Sequence, residues 1–219
     1  MVALKIADIT NRVVELGQSC RFDMGHAFRV SRLALRLFDQ LAPLHGMGNT
    51  ERIWLRTAAL LHDIGKSQDP RDHHKTARDI IIHSPLLPFQ RQERIIIALV
   101  ARYHRGSLPD RNHAYFRDLD RDAQLYVTRL ASLLRLADGL DEGRSGLVDD
   151  VFCQIRPRSV LLRLLSRDIV SVRQAMRKAD LFGRTFGRDI VIGVEIVPTH
   201  LDLGLDSGTD LAYAGAGRR

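Results

Sequence analysis

Five ionisable residues of this chain fall where a helix would normally place carbon: His26, the doublet His62-Asp63, His104 and Asp138. His26 lies between Phe22 and the row Val30, Leu33. His104 follows Ile97, Val100 and Ala101, and Asp138 continues the row Val127, Leu130, Leu134. An ionisable group facing a core is costly unless it is paired or bound to metal. Several of them converging from separate helices predict a helical bundle built around a metal centre.

The apolar periodicity supports that architecture. Amphipathic helices are expected over residues 3–18 and over 24–41, where Val30, Leu33, Leu37 and Leu41 recur at helical spacing before Pro43, Gly46 and Gly48 end the element. A third helix, capped by Asn49 or Thr50 with Glu51 in its first turn, should run to about Asp63 and stop at Gly65. Helices over 74–83, 86–104 and 119–139 complete residues 1–147 as a helical domain.

The pattern changes near 147. Val151–Ile155, Ser159–Leu165 and Asp189–Val197 read as strands, with a helix over 168–182, so residues 148–197 form a small ββαβ subdomain. Its strand edges could pair between chains, which makes a homodimer possible. Residues 198–219 are rich in Gly, Asp and Ser and read as a flexible tail. The fold class is therefore mainly α with a small α+β appendage.

Composition narrows the partners. The longest apolar run, Ile95 to Ala101, is far short of the roughly 18 to 20 residues that span a bilayer. The start MVALKIADIT has no apolar signal core, and two cysteines are too few for a disulfide framework, so a cytoplasmic protein without membrane association is expected. The net charge of +7 suits a polyanionic substrate. Nucleic acid is not expected, because no binding motif is present and only 6% of residues are aromatic.

The candidate ligands suggest specific chemistry. His26, His62, Asp63 and Asp138 make a mixed nitrogen and oxygen shell suited to Mn²⁺, Fe, Co²⁺ or Zn²⁺, with Mg²⁺ also possible. A second ion could share Asp63 as a bridge and take His104 and His74, which has Ala77 and Ile81 at i+3 and i+7; adjacent His73 could take its place. Two ions roughly 3.5–4 Å apart suit phosphate ester or anhydride hydrolysis, with a water activated near neutral pH. Asp63 and Lys66 are the candidate catalytic residues. Lys66, Arg102 and Arg105 are the candidate phosphate contacts, since guanidinium matches phosphate bidentately. Asp141 could orient a ligating histidine. His83 reads as a helix-end residue, and His45, His113 and His200 as solvated.

The run TAALLHDIGK, the upstream helical His26 and the downstream ADGLD resemble the HD superfamily of metal-dependent phosphohydrolases. That resemblance implies His26, His62, Asp63 and Asp138 as first-metal ligands and two intervening histidines, matching His74 and His104, for a second. DHHKTARDIII, IIIALVARYHRGSLP, LASLLRLADGLD and ADLFGRTFGRDI are similar to the C-terminal HD region of the exopolyphosphatase/guanosine pentaphosphate phosphatase (Ppx/GppA) family, over about residues 10 to 197. Full-length members begin with an actin-like phosphatase core holding phosphates in glycine-rich loops. Nothing in this sequence resembles such a loop, so the activity of that core is not expected. The resemblance implies an HD phosphohydrolase acting on a nucleotide or polyphosphate, or else a regulatory module that binds such anions without hydrolysis.

Overall fold

Seven helices build the first two-thirds of the structure, a computed structural model that describes residues 6–197: α1 (Ile6–Ser19), α2 (Met24–Gln40), the short α3 (Ala42–His45), α4 (Asn49–Leu61), α5 (His73–His83), α6 (Arg91–Arg102) and α7 (Arg121–Leu140). The tail expected at 198–219, with His200, and residues 3–5 of the first expected helix lie outside the described residues. The apolar rows meet as their spacing requires. Val30, Leu33 and Leu37 of α2, Leu55 and Leu61 of α4, Ile97 of α6, and Val127, Leu130 and Leu134 of α7 are all buried in one cluster. Helix α7 packs against α2, α4 and α6, so ligand types on four helices face a common centre. Among the described residues, no helix is long and apolar enough to cross a membrane.

Local chemistry sets the helix ends, with some departures from expectation. Asp23 caps α2 by accepting the His26 N–H at 3.0 Å, and Asp120 caps α7 by accepting that of Ala123. Helix α4 is capped at Gly48 rather than at Asn49 or Thr50, with Glu51 accepting the Gly48 N–H at 2.7 Å. Helix α6 begins at Arg91, later than expected, because Pro88 holds the preceding backbone extended. Gly65 lies inside a single 3-10 turn, Ile64–Ser67, rather than at a left-handed stop. Its role is close approach: a Cβ there would lie 2.2 Å from the His73 carbonyl oxygen.

The last third is the expected ββαβ unit: β1 (Val148–Ile155), β2 (Ser159–Ser166), α8 (Arg173–Lys178), α9 (Asp180–Phe186) and β3 (Asp189–Ile196). Strand β1 pairs antiparallel with β2, and β2 pairs parallel with β3 across the helical crossover. The single helix expected over 168–182 is two short ones starting at Arg173; β-branched Ile169, Val170 and Val172 disfavour an earlier start. Val151, Leu162, Leu164 and Phe182 join the same hydrophobic cluster as the bundle. Helix α2 also closes the outer edge of β1. Gln40 bonds Val151 O at 2.8 Å and Cys153 N at 2.9 Å, Arg32 bonds Val148 O, and Arg36 pairs with Asp150 at 2.7 Å.

His45 departs from expectation, being buried rather than solvated. Its Nε2 donates to Phe38 O at 2.8 Å, and its Nδ1 accepts from the Met47 N–H at 2.9 Å, which fixes the neutral tautomer. Burial, followed by the field of Arg129, holds its pKa below the ordinary 6.5. A histidine with a depressed folded pKa stabilises fully above its unfolded pKa and loses that contribution as pH falls below it. His45→Ala should therefore cost about 1–3 kcal/mol at pH 8, from two buried groups left unpaired. The deficit should narrow toward pH 5, as read by urea denaturation at both pH values; a deficit independent of pH would refute the neutral assignment.

Candidate metal centre and its cavity

Three histidines are aimed by one local device. His62 Nδ1 bonds Ala59 O at 2.8 Å, His104 Nδ1 bonds Ala101 O at 2.7 Å, and His73 Nδ1 bonds Pro70 O at 3.0 Å. Each acceptor lies three residues upstream. For His62 and His104 it belongs to the last turn of the preceding helix, α4 or α6, and Ala101 O also accepts the His104 N–H at 3.3 Å. A carbonyl can only accept, so each Nδ1 carries the proton and each Nε2 presents a lone pair. His26 does the same through a carboxylate, its Nδ1 2.7 Å from Asp141 Oδ2.

Those lone pairs converge on Asp63 and Asp138. His26 Nε2 lies 3.3 Å from His62 Nε2 and 3.2 Å from Asp138 Oδ1, and His62 Nε2 lies 3.7 Å from that oxygen. Asp63 stands between two halves of the cluster. Its Oδ2 is 3.7 Å from His26 and 3.6 Å from His62, while its Oδ1 is 3.2 Å from His73 and 3.6 Å from His104. His26, His62, His73, His104 and Asp63 are all buried. Two imidazole lone pairs facing each other at 3.3 Å, with carboxylate oxygens alongside, require a cation or a proton between them. The set fits divalent transition metal ions: His26, His62 and Asp138 could hold one, and Asp63 and His104, with His62, form a second group of ligand types, beside which His73 Nε2 stands 3.2 Å from Asp63 Oδ1.

The titration behaviour places negative charge on the carboxylate oxygens and a neutral ring at His104. Burial works against the charge of Asp63, yet His62, His73, His104 and Lys66 hold its pKa far below the carboxylate range. Asp138 is likewise well below it: burial opposes the charge, and bonds from His26 and His62 overcome burial. Burial keeps His104 neutral. His26 is the exception; burial lowers its pKa, but Asp138 and Asp141 outweigh burial and raise it.

Not every expected residue arrives at the cluster. His73 occupies the place expected for His74. Helix α5 begins at His73, which sets its ring over Asp63, while His74 turns toward Gly106 with a buried Nδ1 lacking a hydrogen-bond partner. Burial pushes His74 down to about 4, so it is neutral at physiological pH. Arg102 does not line the cavity but is buried with its guanidinium 5.4 Å from the Tyr103 ring centroid. Lys66 contacts Asp63 Oδ2, and Arg105 approaches His73 Nε2 at 3.5 Å. His83 caps the end of α5 on Asp79 O, and His113 Nδ1 lies 3.0 Å from Tyr103 Oη.

Other participants were not evident from the sequence. Arg144 donates to Asp63 Oδ2 at 2.6 Å and to Asp23 at 2.5 Å, from a left-handed backbone (φ 58°) anchored by Asp141 O. Lys178 contacts Asp138 Oδ2 from α8. Asp141 also accepts from Arg29 at 3.0 Å, which holds the support for His26 in place. Only the left-handed glycines of DEGRSG, flanking Arg144, hinted at a tight loop here.

Above the cluster opens a cavity of about 470 Å³. Its lining includes six cationic side chains (Lys66, Arg105, Arg135, Arg144, Arg177, Lys178) against Asp63, Asp138 and Asp141, and no aliphatic or six-membered aromatic side chain. Its occupant must be recognised by charge. His73→Ala should lower the number or affinity of Mn²⁺ ions bound in titration calorimetry, and His74→Ala should leave both unchanged; the reverse pattern would restore His74 as the ligand.

The family profile described as Ppx/GppA phosphatase, domain III, matches residues 10–181. Over 124 residues, 54% of this chain, the sequence is 30% identical to a guanosine-5'-triphosphate,3'-diphosphate pyrophosphatase of Pseudoalteromonas atlantica. That match spans 24% of the relative's length.

Proposed function

The chain belongs to the Ppx/GppA phosphatase family, domain III, and from that premise we propose that it is a metal-dependent phosphohydrolase of the HD type. Its substrate would be a phosphorylated small molecule, a nucleotide or a polyphosphate-like phosphoanhydride. The observation that carries the reading is the convergence of four histidine Nε2 atoms on Asp63 and Asp138 beneath a cavity with an excess of cations. Divalent ions held there would supply Lewis acidity, charge neutralisation at phosphorus and a water ready to attack near neutral pH.

The chain's own groups have separable tasks. His26, His62, Asp63 and Asp138 would hold one ion; His73 and His104, with Asp63, would hold the other. Asp141 and the carbonyls of Ala59, Ala101 and Pro70 fix each imidazole tautomer, the kind of support whose loss costs roughly 10- to 100-fold in metal affinity or activity. Lys66 and Arg105 take non-bridging phosphate oxygens at the rim. Arg144 ties the α2 cap, Asp23, to Asp63 and keeps the doublet fixed relative to His26.

A second reading draws on the fact that the match covers about a quarter of a relative named for pyrophosphatase activity: a regulatory domain that binds the same anions without cleaving them. Phosphate release separates the two. Mn²⁺-loaded protein should liberate phosphate from at least one of pyrophosphate, polyphosphate or guanosine nucleotides. Asp63→Asn should reduce that release by about 100-fold or more, beyond the loss expected from a supporting contact. Anion binding by wild type without any phosphate release would favour the regulatory module, and release intact in Asp63→Asn would sink the metal mechanism.

A further inference from the structure

Helix α8 is set against the cluster by features that a passive appendage would not need. Gly139 follows Asp138 directly, and a Cβ on it would lie 2.6 Å from Ala175 Cα. The absence of that Cβ, opposite the small Ala175, brings the α8 backbone onto α7 beside the ligand carboxylate. Arg135 then fastens the far end of α8. It donates to Tyr103 O at 3.1 Å and Lys178 O at 3.4 Å, and pairs with Asp180 at 3.0 Å. A buried arginine is thus used to fix the main chain at the residue that carries the innermost cation of this wall.

That cation is Lys178. Its ammonium meets Asp138 Oδ2, while Asp138 Oδ1 faces His26 and His62. Arg177 and Gln174 extend the same wall into the cavity. A lysine beside a carboxylate that also serves divalent ions adds positive charge where repulsion is greatest. The arrangement becomes favourable when an anion bridges lysine and ions. The cavity offers nothing but charge and hydrogen bonds to hold that anion.

We propose that Lys178 and Arg177 form the phosphate-binding wall of the site, making the ββαβ unit the part of the chain that selects the substrate. The inference rests on the phosphohydrolase reading above and deepens it. The ions are held by the bundle; a phosphate group remote from the scissile bond is held by α8. Changes in α8 then alter which phosphorylated compounds are accepted while leaving the metal ligands untouched.

Titration calorimetry on the full chain tests this, with Mn²⁺ alone and then with pyrophosphate added to Mn²⁺-loaded protein. In Lys178→Gln/Arg177→Gln the Mn²⁺ stoichiometry should match wild type, and pyrophosphate affinity should fall by about tenfold or more for each cation removed. Lys178→Arg should restore most of the loss. Arg177 is exposed, so Arg177→Gln alone keeps its packing and gives a reading even where Lys178→Gln disturbs the fold. Unchanged pyrophosphate affinity in the double variant with Mn²⁺ still bound would overturn the wall and leave the metal site standing. Joint loss of Mn²⁺ and pyrophosphate would also overturn it, because Lys178 would then act only through Asp138. Wild-type protein that binds no Mn²⁺ would overturn the metal reading and this one together.

Discussion

The hydrogen bond from a histidine Nδ1 to a carbonyl three residues upstream does two jobs in this protein. For His62 and His104 it ties the ring to a carbonyl in the last turn of α4 or α6, and it fixes the ring so that Nε2 points to the centre. His73 uses the device at the start of α5, on Pro70 O. Without these bonds the imidazoles would have freedom about χ2, and the convergence on Asp63 would not survive.

Asp63 depends on that convergence in turn. A buried carboxylate is unfavourable on its own; here His26 and His62 lie beside one oxygen and His73 and His104 beside the other, with Lys66 and Arg144 from outside. The lining of the cavity carries an excess of basic residues, six cations against three carboxylates.

How much of this could be read from the sequence depended on how local each signal was. The rows Val30, Leu33, Leu37 and Val127, Leu130, Leu134 determine which faces of α2 and α7 are buried, and His26 and Asp138 lie on those faces. The choice between His73 and His74 was not legible. Ala77 and Ile81 stand at i+4 and i+8 from one and at i+3 and i+7 from the other, and both spacings belong to the same helical stripe. Arg102 is expected to contact phosphate because it stands two residues from His104, yet two residues are about 200° of helix, and that turn places it against Tyr103. Lys178 and Arg144 were out of reach for a different reason. Their contacts span 40 and 81 residues, and only the backbone approach of α8 to Gly139 and the left-handed turn at Arg144 create them.

The binding of α2 side chains along β1 bears on assembly. With Gln40 and Arg32 bonded to Val151 O, Cys153 N and Val148 O, that margin of the sheet is partly engaged by the bundle. The sheet is consequently polar in its capacity for growth. The other margin, β3, is the edge that none of these α2 side chains occupies.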